Sequence, residues 1–156
     1  MSGNIAIGIQ DFSTIIQGNY FYIDKTPFIK EWWDCGESAT LITRPRRFGK
    51  TLTMSMVEQF FSIDYAGRSD LFEHLAIWKE EKYRELQGTY PVISLSFARI
   101  KERDYEKTKQ KMCEVLRNIY IKFCYIKDSE KLTDADRAYY ERMLEENIKE
   151  TDATSS

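Results

Sequence analysis

Gly49, Lys50 and Thr51 combine the residue types that phosphate chemistry needs, in the order that chemistry needs them. They close the run TRPRRFGKTL, residues 43–52, between a short apolar segment and an apolar-periodic one. Phosphate oxygens need a dense set of donors. A loop that feeds a helix N-terminus supplies backbone N–H groups, the positive end of the helix dipole and, here, the ammonium of Lys50. Arg44, Arg46 and Arg47 add local positive charge, and Phe48 and Leu52 flank the glycine and the hydroxyl. Gly49 lets the backbone approach a ligand closely, and the Thr51 hydroxyl is of the kind that supports a Mg²⁺ ion bridging the β- and γ-phosphates. The tripeptide alone arises by chance in roughly one chain in ten of this length, so its context carries the weight. Against it stands the bland reading of an exposed basic loop before an ordinary helix. The general pattern G-x-x-x-x-G-K-[ST] also begins with a glycine, where this chain has Arg44 followed by the stiff Pro45.

The loop must be positioned by its neighbours. Residues 39–43, ATLIT, are too short for a helix and β-prone, which predicts a first buried strand. Residues 50–62 place Leu52, Met56 and Phe60 on one helical stripe, with Val57 and Phe61 beside it, which predicts a helix packed on a sheet. Upstream, Thr26 and Pro27 predict a helix start with a capping hydroxyl, ending near Gly36. Before it, residues 15–22 alternate loosely around a Gly-Asn turn and are expected to be extended. Downstream, YPVISLSF, residues 90–97, alternates Ile93, Leu95 and Phe97 as a second strand. Asp104 caps a long helix to about Tyr125, and Thr133 with Asp136 opens a last one to about Lys149.

Four segments carry a family resemblance: YFYIDKTPFIKEWW (residues 20–33), LITRPRRFGKTLTMSMVEQFF (41–61), LFEHLAIW (71–78) and YPVISLSF (90–97). Their order and spacing are similar to the bacterial AAA-ATPase-like family over about residues 5–126. The resemblance implies that Arg-Pro-Arg-Arg-Phe-Gly-Lys-Thr is that family's ordinary P-loop, so Arg44 departs from the general motif and not from the family. It implies ATP as the nucleotide, and a continuation into an acidic Walker B strand, often followed by a C-terminal nuclease-like domain. Neither of those is found in this sequence. Because no apolar run after the P-loop ends in Asp or Glu, the reading is nucleotide binding without autonomous hydrolysis.

The fold expected on this basis is α/β: a partial P-loop three-layer α/β/α fold over residues 1–150, lacking the Walker B strand and later strands, with a flexible polar tail at 151–156. Strands left without neighbours are a pairing liability. The expectation is therefore self-association or a completing protein partner, and the competing reading is a non-enzymatic interaction fragment that has lost nucleotide binding.

Composition narrows the classes further. A net charge of −2 and a pI near 5.6 give no global reason to bind nucleic acid. Cys35, Cys113 and Cys124 form no CxxC pair, and with His74 as the single histidine no zinc pattern emerges, so reduced thiols in a cytoplasm fit best. No apolar stretch reaches membrane-spanning length, and no membrane partner is expected. Asp24, Lys25 and Thr26 match the family's recurrent Asp-Lys-Thr, for which helix capping is the first explanation. Tyr20 and Tyr22 are of a type to border a base, but core packing is the default. So it is for Trp32, Trp33 and Trp78.

Overall fold

The computed structural model describes residues 5, 8–43, 45, 47–98 and 100–144, and the chain divides into two compact units, Met1–Val92 and Ile93–Ser156. In the first unit, Asp11 opens helix α1 (Phe12–Gln17) by accepting hydrogen bonds from the Thr14 amide at 2.8 Å and from the Ser13 and Thr14 hydroxyls. The Gly-Asn pair then ends that helix, with Asn19 at a φ of 50°, so residues expected to be extended are helical up to Gln17. The signal that outweighs the alternation is the carboxylate cap upstream of it. The Phe12 amide donates to Ser55 Oγ at 3.0 Å and Gln59 Nε2 to Asp11 Oδ1 at 2.6 Å, which pins α1 to the next long helix.

Helix α2 (Pro27–Cys35) begins at proline and stops at Gly36, whose φ of +61° no β-branched residue would accept. Helix α3 (Lys50–Phe61) buries Met56, Phe60 and Phe61 on the stripe its spacing predicts. These join Phe12, Ile29, Leu71, Phe72, Ile77 and Tyr83 in one core. Phe60 is its centre: its ring meets Phe61 edge-on at 5.0 Å and Phe72 edge-on at 5.1 Å. Three 3₁₀ turns, Ile63–Tyr65, Ser69–Leu71 and Ala76–Lys79, and the short helix α4 (Glu81–Arg84) wrap the far side of that cluster.

The expected three-layer α/β/α architecture does not form. Among the described residues there is no sheet. The β-pairing consists of one isolated parallel bridge between Ser62 and Tyr90. Residues 39–43 and 91–97 run without regular structure or ladder partners. Leu41, Ile93, Leu95 and Phe97 are all exposed. The cause is physical: a strand is held by hydrogen bonds and side-chain pairs from its neighbours, and β-propensity alone supplies neither. Helix α3 accordingly packs on α1 and the turns after it instead of on a sheet.

In the second unit, Asp104 caps α5 (Tyr105–Lys122) by accepting from the Lys107 amide at 3.1 Å. A 3₁₀ turn, Cys124–Asp128, replaces the expected last turn of that helix. Helix α6 (Asp134–Leu144) starts with the reciprocal bonds of a capping box: the Thr133 amide donates to Asp136 Oδ2 at 3.0 Å and the Asp136 amide to Thr133 Oγ1 at 3.2 Å. The two helices meet at Tyr120 and Tyr140, whose rings lie edge-on at 4.9 Å with the Tyr140 hydroxyl donating to the Tyr120 carbonyl, and Phe123, Tyr140 and Met143 are buried in this unit. The continuation expected to Lys149 and the polar tail at 151–156 lie outside the described residues. No helix among the described residues is long and apolar enough to cross a membrane.

Candidate functional site

The loop meets α3 through an unusual backbone. Arg47 and Gly49 both take left-handed conformations, with φ of 68° and 75°. For arginine that region costs about 1–2 kcal/mol, and such strain gathers where a loop is shaped for a ligand. Gly49 is the N-cap of α3 and has no side chain to satisfy the N–H groups of the first turn. Arg44 and Arg46, expected at this site, lie outside the described residues.

An open cavity of about 850 Å³ lies against this helix start. Its polar lining includes Gln10, Lys25, Arg47, Gly49, Lys50 and Thr51, and its apolar lining includes Ile9, Ile15, Phe21, Tyr22, Ile23 and Leu52. That volume lies within the range of about 300–1,000 Å³ typical of small-molecule sites. Lys50 and Thr51 are exposed and Leu52 is half-buried. Phe48 lines a second cavity of about 230 Å³, together with Asp24, Glu31 and Thr53, and this smaller space shares Lys25 and Lys50 with the larger one.

A polyphosphate fits this lining: three cationic side chains, a glycine at closest approach and the start of a twelve-residue helix. No three His, Cys, Asp or Glu side chains among the described residues come together as a metal cage. Mg²⁺ in nucleotide sites keeps several waters and is held by one or two protein groups plus phosphate oxygens, so the Thr51 hydroxyl is a fitting contribution.

Position 49 allows a direct check. A Cβ there would stand 2.7 Å from Lys25 Nζ, which the flexible lysine can relieve, but the φ of +75° would remain strained. Gly49→Ala is expected to cost about 1–2 kcal/mol of stability, read by thermal melting, and to weaken binding of a fluorescent ATP analogue. An unchanged melt would show that the left-handed turn is not held.

The residues 24–26 do something other than the expected capping. Thr26 is fully buried and makes no side-chain cap to α2. Its hydroxyl donates to Asp24 Oδ1 at 2.7 Å and accepts from the Ile77 amide at 3.1 Å. Asp24 Oδ1 also accepts from the Thr26 amide at 2.8 Å, and Oδ2 accepts from the Ala76 amide at 2.7 Å. The pair clasps the start of α2 to the turn at 76–77, a contact across some fifty residues that spacing does not reveal. Thr26→Val would leave the buried Ile77 N–H without its partner. The expected loss is roughly 1–3 kcal/mol, read by urea denaturation; a loss near zero would show that the clasp is dispensable.

Tyr22 lines the larger cavity and also packs on the core. Burial pushes its phenol up to about 12, and its oxygen sits 3.3 Å from both Met56 Sδ and the Lys25 amide. Tyr20 instead lies over Gly18. The segments at 8–10 and 21–23 reach the cavity through tertiary packing, and no local motif marks them.

Fold and site together define a helical protein with a Gly-Lys-Thr loop opening onto a ligand-sized cavity. The chain belongs to the predicted AAA-ATPase family, whose model matches residues 6–155. That match extends beyond the stretch at which the sequence motifs resemble the family. The chain is also 33% identical, over 113 residues, to a protein of Azotobacter chroococcum mcd 1 described as an uncharacterized protein in the vnfD 5′ region. That alignment covers 72% of this chain and 20% of the relative, so the chain spans about a fifth of the relative's length. No solved structure matches.

Proposed function

We propose that the chain binds ATP with Mg²⁺ through the loop at residues 44–52. Lys50 and the first-turn amides take the β- and γ-phosphates, Arg44, Arg46 and Arg47 supply the surrounding positive field, and Thr51 supports the metal. The observation that carries the reading is the cavity of about 850 Å³ lined by Arg47, Gly49, Lys50, Thr51 and Leu52 at the start of α3. Family membership supports it from an independent direction. When bound, Mg²⁺ would neutralise phosphate charge; the chain's own residues bind and orient the triphosphate. Hydrolysis is not part of the proposal. Asp24, which lines the smaller cavity together with Glu31, has its carboxylate oxygens engaged by Thr26 and Ala76.

Ligand binding to the folded state alone stabilises it by about 2.7 kcal/mol at a hundredfold excess over Kd. Mg²⁺·ATP is therefore expected to raise the melting temperature of the chain in a concentration-dependent way, and adenosine to do so far less. Equal melts with and without nucleotide would overturn the proposal.

A second reading, a protein-interaction module, is favoured by the exposed alternation of Ile93, Leu95 and Phe97 on a segment without regular structure or ladder partners among the described residues. Sedimentation discriminates: a monodisperse monomer that binds ATP argues against self-association as the chain's role.

A further inference from the structure

Lys25 is twenty-three residues from the loop in sequence, yet its ammonium donates to the Phe48 carbonyl at 3.4 Å. It stands 2.7 Å from the point where a Gly49 side chain would begin. It lines the same cavity as Arg47, Lys50 and Thr51. We propose that Lys25 is a second nucleotide-binding ammonium, presented to the phosphate oxygens by the Asp24–Thr26 clasp. The inference rests on the phosphate-loop reading above and adds a binding residue to it.

The backbone on both sides of Lys25 is fixed. Asp24 is tied to Ala76, Thr26 to Ile77, and the Lys25 amide to the Tyr22 hydroxyl oxygen. Thr26 is fully buried, so the base of the lysine is held. Fixing the base in advance lowers the entropy that ligand binding must offset. At 3.4 Å from a neutral carbonyl the ammonium has a long, weak hydrogen bond. Exchange of that bond for one to a phosphate oxygen, ionised on both sides, is favourable. Two ammonium groups lining one cavity then share a polyanion that a single lysine would hold as a point charge.

The competing role for Lys25 is structural: a tie that merely holds the loop through Phe48. Charge separates the two. Gln keeps an N–H donor without charge, whereas Arg keeps the charge. A fluorescent ATP analogue with Mg²⁺ would be titrated into the wild-type chain and into Lys25→Ala, Lys25→Gln, Lys25→Arg and Lys50→Ala at several salt concentrations. The expected result is binding weakened roughly ten- to a hundredfold by both Ala and Gln, the worth of one charge-assisted hydrogen bond. The salt dependence of those two variants should be shallower than that of the wild type, with affinity largely restored by Arg. Wild-type affinity in Lys25→Ala, or rescue by Gln, would overturn the role of Lys25 while the loop reading stands on the loss in Lys50→Ala. A wild-type chain that fails to bind would overturn the loop reading, and this inference with it. The melt of Lys25→Gln without nucleotide should match the wild type, which separates lost binding from lost folding.

Discussion

Lys50→Ala is expected to reduce the affinity for Mg²⁺·ATP by roughly a hundredfold, the upper end of what one charge-assisted hydrogen bond is worth. Lys50 is the first residue of α3, and its side chain lines both cavities at the loop. An ammonium at a helix start adds a full charge to the partial charge of the dipole. Alanine keeps the helix, since it has the highest helix propensity, so the melting temperature without nucleotide should change little. A titration monitored by fluorescence of the ATP analogue checks it. Undiminished affinity, with the chain folded, would remove Lys50 from the site.

Phe60→Ala is the change with the largest expected effect on stability. Its ring is fully buried and contacts both Phe61 and Phe72 edge-on, at 5.0 and 5.1 Å. Phe72 in turn stacks on Phe12 from α1 at 5.1 Å, so removing Phe60 opens a cavity where α1, α3 and the turn at 69–72 converge. Truncation of a buried phenylalanine costs about 3–5 kcal/mol, a large share of the roughly 5–15 kcal/mol that holds a typical protein. Trp33 stacks on Phe61 at 5.3 Å and reports on the same core, so urea denaturation followed by tryptophan fluorescence measures the loss. A loss below about 1 kcal/mol would mean that the aromatic cluster is not the element holding this unit.

The helices were legible because their signals are local. Pro27 and Gly36 bracket α2, the stripe through Met56 and Phe60 marks α3, and Asp104 and Thr133 with Asp136 open α5 and α6. The first helix was hidden because a Gly-Asn turn at its end drew the reading toward an extended segment, while its cause, the Asp11 cap, stands upstream. The strands were misread for a different reason. Alternation at Ile93, Leu95 and Phe97 describes what a strand would present, but pairing depends on a neighbour that propensity cannot supply. The phosphate loop was readable as a string of residues. The walls that make it a cavity, at 8–10 and 21–23, and the reach of Lys25 to Phe48 come from tertiary packing. Thr26 shows the same limit: its place before Pro27 suggests a cap, whereas its hydroxyl serves a clasp to Ile77.

The central claim is that the amides opening α3 hold phosphate. Amide chemical shifts of the isotope-labelled chain, recorded as Mg²⁺·ATP is added, test it most directly. The account predicts saturable shifts concentrated at Gly49, Lys50, Thr51 and Leu52, with the Lys50→Ala chain showing none at the same concentrations. Shifts confined to other regions, or none at all in the wild-type chain at millimolar nucleotide, would contradict it.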